Sequence, residues 1–199
     1  MNLLHYYLWV KLFFVDLVVL LLILCCVKNF YMQYFFISGA PSTGKTTTIN
    51  AVCGWLQTRG YSGRDVDPYG RIYSPITTYL ASGVQDFSYM LYKGEFGVLV
   101  HSATDDQPNI DILVGLIHNL TPDVVITSCR DYPDWPREYL CQTLGLTNDY
   151  ELNLSNSNVR EFPLAKITRR KNWNDPYIWY FRNTTNIIED MLMAAPYNL

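Results

Sequence analysis

Hydrophobic and polar positions change period several times along the chain, and each change marks an element. Residues 34–38, Tyr-Phe-Phe-Ile-Ser, are an apolar run too short for a helix and rich in β-formers, which predicts a buried strand. Residues 46–58 then carry Ile49, Val52, Cys53 and Leu56 at helical spacing until Gly60 stops them. A weak strand over 61–68 ends in Asp65-Val66-Asp67-Pro68. Residues 76–83 and 86–92 read as short helices or a lid, with Tyr79, Phe87, Tyr89 and Tyr92 either covering a core or stacking on a base. The run 96–101 has the continuous apolar character of a strand in a parallel sheet. A helix over 109–119, with Ile110, Leu113, Val114 and Ile117 on one face, and a strand over 123–127 follow. The remainder reads as a helix over 136–144, a last strand over 150–154, a polar loop over 153–158 and a closing helix over 187–193.

Alternation of strands and helices predicts an α/β fold, a three-layer sandwich around a mostly parallel five-stranded sheet. This domain covers 32–199, behind an apolar segment at 1–31. Within that segment 8–27 is apolar except for Lys11 and Asp16, close to the roughly 20 residues of a membrane-spanning helix. Three readings stand for it: a membrane anchor, an over-extended start ahead of Met32, or an amphipathic or packed N-terminal helix. No small-x-small cleavage site follows, which argues against a secretory signal. The expected location is the cytoplasm. In the anchor reading 8–27 contacts the membrane, and Lys28 after the run favours the cytoplasmic side for the rest of the chain.

Composition narrows the choice of partner. The chain is 49% hydrophobic and 17% charged with a formal charge of −3, which suits a globular domain and gives no sign of a nucleic-acid binder. Five cysteines, Cys25, Cys26, Cys53, Cys129 and Cys141, are odd in number and lack C-x-x-C spacing, so neither a disulfide framework nor a zinc site is indicated.

The chemistry sits between the first strand and the first helix. Gly39 to Thr46 reads Gly-Ala-Pro-Ser-Thr-Gly-Lys-Thr, the G-x-x-x-x-G-K-[ST] pattern of a phosphate-binding loop, in the strand-to-helix context that pattern requires. Glycines let the backbone curl its N–H groups inward, and the following helix adds its positive end. Gly39, Ala40, Pro41, Ser42, Thr43, Gly44, Lys45, Thr46 and Thr47 are the expected nucleotide-binding residues, for ATP with Mg2+. Lys45 would reach the β- and γ-phosphates and Thr46 would offer its hydroxyl to the metal. Asp65 and Asp67, Asp105 and Asp106, and Arg130 with Asp131 all follow predicted strands, where open α/β sheets bind ligands. Asp67 is the candidate for the substrate hydroxyl and Asp105 for the metal. Arg130 is either a phosphate clamp or half of a surface ion pair with Asp131 or Glu138.

With Gly39, Gly44, Lys45 and Thr46 in place, residues 32–199 resemble the P-loop NTPases, and their size and layout look like the small nucleotide, nucleoside and shikimate-type kinases. The resemblance implies ATP, magnesium and transfer of the γ-phosphoryl group to a small-molecule acceptor. It also implies a mobile arginine lid, which maps to Arg169 and Arg170 in the basic cluster 166–171, and a substrate-side Asp-x-Asp, which maps to Asp65 and Asp67. One departure stands out: the strands at Val98 and Val124 run into His-Ser and Thr-Ser, not directly into an acidic residue. The magnesium-side carboxylate is thereby left between Asp105 and Asp67. Other readings are an ATPase or GTPase working with a protein partner, and a membrane-tethered module that holds a nucleotide without turning it over.

Overall fold

In the computed structural model the described residues are 32–67, 70, 72–75, 86–165 and 176–199. The apolar segment 1–31, the helix or lid at 76–83 with Tyr79, and the basic cluster with Arg169 and Arg170 lie outside them. The elements are β1 (Gln33–Ser38), α1 (Lys45–Thr58), β2 (Ser62–Val66), β3 (Ile72–Pro75), β4 (Ser88–Lys93), β5 (Phe96–His101), α2 (Gln107–Leu120), β6 (Val124–Cys129), α3 (Trp135–Leu144), α4 (Leu152–Ser155), β7 (Val159–Pro163) and α5 (Pro176–Met193).

The sheet is larger and less uniform than the five mostly parallel strands expected from sequence. Among the described residues it has seven strands, in the order β3-β2-β4-β5-β6-β1-β7. Four neighbours, β5, β6, β1 and β7, run parallel. The other three form an antiparallel arm, in which β4 pairs with β5 and β2 pairs with both β4 and β3. The arm exists because residues 86–92 hold a strand, not a helix or lid. Phe87, Tyr89 and Leu91 alternate with Ser88, Met90 and Tyr92, and Gly94 at φ 64 makes the tight turn into β5, with Lys93 opposite Phe96. A second difference lies near the end of the chain. The expected strand at 150–154 falls on the one-turn helix α4, and the strand is β7, inside and just beyond the residues expected to be loop.

Strand residues alternate between two buried faces. Phe35, Ile37, Val98, Val100, Val124 and Ile126 share one core cluster with Ile49, Val52, Cys53 and Leu56 of α1 and Ile188 and Leu192 of α5. Their neighbours Phe36, Leu99 and Val125 are just as buried and face the opposite way, the side on which α2 and α3 bury Ile110, Leu113, Leu116 and Leu140. Helices therefore cover both faces of the parallel strands. Burying each of the large aliphatic side chains contributes about 1.5–3 kcal/mol, so α1 is fixed by its apolar stripe and not by helix propensity. That matters for the site, because α1 packs across β1, β6 and β5 and carries its N-terminus to the carboxyl edge of all three. The chain end closes the same core: Tyr197 donates its hydroxyl to Tyr34 O at 2.6 Å and sets its ring edge-on to Phe35.

Among the described residues no helix is long and apolar enough to cross a membrane.

Candidate functional site

The loop between β1 and α1 has the shape its glycines allow. Gly39, Ser42 and Gly44 have φ of 155, 62 and 92, and Gly44 is the residue that leads into α1. A Cβ on Gly39 would come within 2.7 Å of Thr43 Oγ1 and 3.3 Å of Leu164 O, so the turn has no room for a side chain there. Ser42 holds a left-handed conformation without being glycine, which costs on the order of 1 kcal/mol and is the kind of strain that collects at functional loops. The loop is pinned from outside by Gly39 N donating to Cys129 O at 3.2 Å and from inside by Thr43 Oγ1 donating to Ala40 O at 2.9 Å.

The start of α1 turns its positive end toward the loop, with no side-chain cap among the described residues and no acidic residue in its first turn. Lys45 is 7% exposed and turns back over the loop, where Nζ donates to Gly39 O at 2.8 Å and Ala40 O at 3.1 Å. Burial pushes its ammonium below the usual lysine range; Asp105 and Asp131 pull it back up, while Arg130 adds to the depression. All three charges thus lie close enough to Lys45 to act on it.

Arg130 follows β6, the strand beside β1, and its Nε meets Asp105 Oδ1 at 2.6 Å. The Asp105 side chain is 54% exposed and the Arg130 side chain 14%, so the pair is only partly open to solvent. The sequence pointed to Asp131 or Glu138 as the ion-pair partner of Arg130; the partner is Asp105. Thr46, on the other side of the loop, places Oγ1 3.3 Å from Asp86 Oδ1. Asp86 was not singled out by the sequence, because it reads as the first residue of a lid. The signal that would have found it is the period-two pattern of the strand behind it.

Asp67 is not brought to this site. β2 stands four strand spacings from β1, about 19 Å at roughly 4.8 Å each. The turn that follows, closed by Gly70 N on Asp67 O at 2.9 Å, packs so that a Cβ on Gly70 would sit 3.3 Å from Asn119 Cβ, in the last turn of α2. Asp105 precedes the first turn of that helix. Asp65 is exposed opposite Tyr89 in the arm. Asp106 caps α2 by accepting from Asn109 N at 3.0 Å. Phe87 and Tyr89 stack on each other, centroids 4.5 Å apart, and pack against the core.

Two buried polar groups support the edge that carries the site. His101 ends β5 with Nδ1 at 2.8 Å from Ser88 Oγ and Nε2 at 2.5 Å from Ala103 O. Burial lowers its pKa to about 4, and a neutral ring that donates from Nε2 and accepts at Nδ1 satisfies both contacts. Arg137 of α3 pairs with Glu161 of β7 through both guanidinium nitrogens, at 2.5 and 3.0 Å, and also donates to Asn148 Oδ1, Arg130 O and Asp149 O. This pair ties α3 and β7 to the backbone of Arg130.

The donor set fits magnesium. Thr46 hydroxyl and the nearby carboxylates are hard oxygen donors, and among the described residues no group of three or more His, Cys, Asp or Glu forms a protein cage for a metal. Magnesium bound mostly by phosphate oxygens and water needs only one or two protein ligands. Models of protein families, curated proteins and solved structures gave no match to this chain.

Proposed function

We propose that this chain is an ATP-binding P-loop protein that transfers the γ-phosphoryl group to a small-molecule acceptor such as a nucleoside or nucleotide. The observation that carries the reading is the loop from Gly39 to Thr46: a strand-loop-helix turn whose helix start and buried Lys45 converge on one volume at the carboxyl edge of β1. In this reading the loop N–H groups bind the β- and γ-phosphates. Lys45 exchanges its two carbonyl contacts for phosphate oxygens and stabilises the charge that builds in the transition state. Arg130 leaves its pair with Asp105 to become the second cation. Thr46 and an adjacent carboxylate would hold Mg2+, which would supply positive charge against the phosphates.

The acceptor enters from the β5–β6 side, where Asp105 and Asp131 face Lys45. Release of Arg130 frees the Asp105 carboxylate to orient an acceptor hydroxyl. A partner-driven ATPase would need an acid beside its metal-side carboxylate to activate water, and β5 and β6 end in His101-Ser102 and Cys129-Arg130. The test uses γ-labelled ATP with and without a panel of nucleosides, nucleotides and small alcohols. Label appearing on one acceptor class is the expected result. Label released only as inorganic phosphate, at a rate no acceptor changes, would contradict a kinase and leave the ATPase reading.

A further inference from the structure

β5 ends in His101-Ser102, and His101 is sealed between Ser88 and Ala103, so this strand offers the metal no carboxylate of its own. We propose that Asp86, entering from the antiparallel arm, supplies that carboxylate and holds the magnesium ion beside Thr46; the inference rests on the phosphoryl-transfer reading above.

Register puts Asp86 in place. Ser88 lies opposite His101, so Asp86, two residues earlier, stands at the carboxyl edge of β5 where the phosphate loop opens. The chain is fastened there by two bonds, Ser102 N to Phe87 O at 3.1 Å and Phe87 N to Ser102 Oγ at 2.9 Å. The Asp86 carboxylate is thereby aimed: Oδ1 is 3.3 Å from Thr46 Oγ1 and 3.3 Å from Ser102 Oγ. It is also exposed, so a hydrated ion can reach it. β4 is three strands from β1, yet α1 crosses β6 and β5 and brings Thr46 to it.

Asp105 is the competitor and is less well placed. It pairs with Arg130 at 2.6 Å and, once released, is assigned to the acceptor hydroxyl, whereas Asp86 already stands 3.3 Å from the Thr46 hydroxyl. One carboxylate and one hydroxyl are what Mg2+ takes from a protein when phosphates and water fill the remaining positions. The antiparallel arm then has a task in the site and is more than an extension of the sheet.

The test is the affinity of the full chain for ATP, measured with MgCl2 and again with EDTA, in the parent, Asp86→Asn and Asp105→Asn. Binding of Mn2+ to the protein–ATP mixture, followed by its paramagnetic resonance spectrum, gives a readout independent of turnover. Asp86→Asn should lose on the order of 10-fold or more of the metal-dependent affinity and keep its affinity in EDTA. Asp105→Asn should retain the metal dependence. If Asp86→Asn fails to unfold cooperatively, Asp86→Glu is measured the same way and should shift the Mn2+ spectrum. The inference is overturned if Asp86→Asn, or Asp86→Glu in its place, matches the parent in both readouts, or if Asp105→Asn alone loses the metal dependence. A parent that binds no ATP under either condition overturns the phosphoryl-transfer reading as well, so the two failures are told apart.

Discussion

Two buried residues set the chemistry of stability, and both have consequences that can be measured. His101 stays neutral in the fold down to pH about 4, whereas in the unfolded chain it takes a proton near 6.5. As pH falls through that window the unfolded state binds the proton first, so stability drops from about pH 6.5, on the order of 3 kcal/mol in all, and levels off below about 4. Denaturant unfolding across this range should show the slope in the parent and a flatter profile in His101→Gln; equal slopes would mean that the ring is not held neutral. Burial alone would raise the Glu161 pKa, but hydrogen bonds from Arg137, Leu152 N and Ser38 outweigh it and hold the carboxyl below its usual range. That contribution is complete above the unfolded pKa of about 4.5 and is lost as pH falls further, which separates it from His101. Removing one partner strands a buried charge, so Arg137→Met should cost about 3–5 kcal/mol in chemical denaturation. A loss under 1 kcal/mol would show that the pair is solvated. This residue also shows why part of the chain was illegible in sequence: Glu161 points inward from β7, and a charge on the buried side of Val159-Arg160-Glu161-Phe162 hides the alternation that marks a strand.

Elements were legible where one apolar face was continuous and illegible where it was interrupted. β1, α1, β5, α2 and β6 follow the expected runs to within two residues or so, because each buries aliphatic side chains at an unbroken period. Tyr150-Glu151-Leu152-Asn153-Leu154 has the period of a strand, but only Leu152 is buried, and Tyr150 and Leu154 are 77% and 73% exposed. Its alternation reflects no core. The arm was missed for the opposite reason: β4 is aromatic and amphipathic, and those aromatics were read as a lid. The phosphate loop needed no periodicity, since its glycines are demanded by backbone shape. Gly39→Ala tests this at the level of the loop. With its Cβ against Thr43 Oγ1 and the Leu164 carbonyl, the variant should lose ATP affinity by 10-fold or more and some stability, while still unfolding in one cooperative transition. Parental affinity in Gly39→Ala would mean that the loop does not wrap a ligand.

At the scale of the molecule, residues from Gln33 onward form one compact unit whose first strand is flanked by β6 and β7 and whose last residues seal the core through Tyr197 and Leu199. A chain reduced to 32–199 should therefore unfold in a single cooperative transition; aggregation of that chain beside a stable full-length protein would show that 1–31 belongs to the fold. The parallel half of the sheet presents Lys45, Arg130 and Asp105 along one edge, and the antiparallel half delivers Asp86 to the same edge. The α/β alternation was legible from the sequence, but the way the two halves join was not, since it depends on pairings between residues as distant as Asp65 and Tyr89. In the proposed function this edge binds a nucleotide polyphosphate through the loop and its lysine. That binding is tested most directly by calorimetric titration of ATP with Mg2+ into the parent and into Lys45→Ala. Saturable one-to-one binding by the parent, with a loss of 10²-fold or more in a Lys45→Ala protein that still unfolds cooperatively, is the predicted result. Equal affinity in the two proteins, or no heat of binding in the parent, would contradict it.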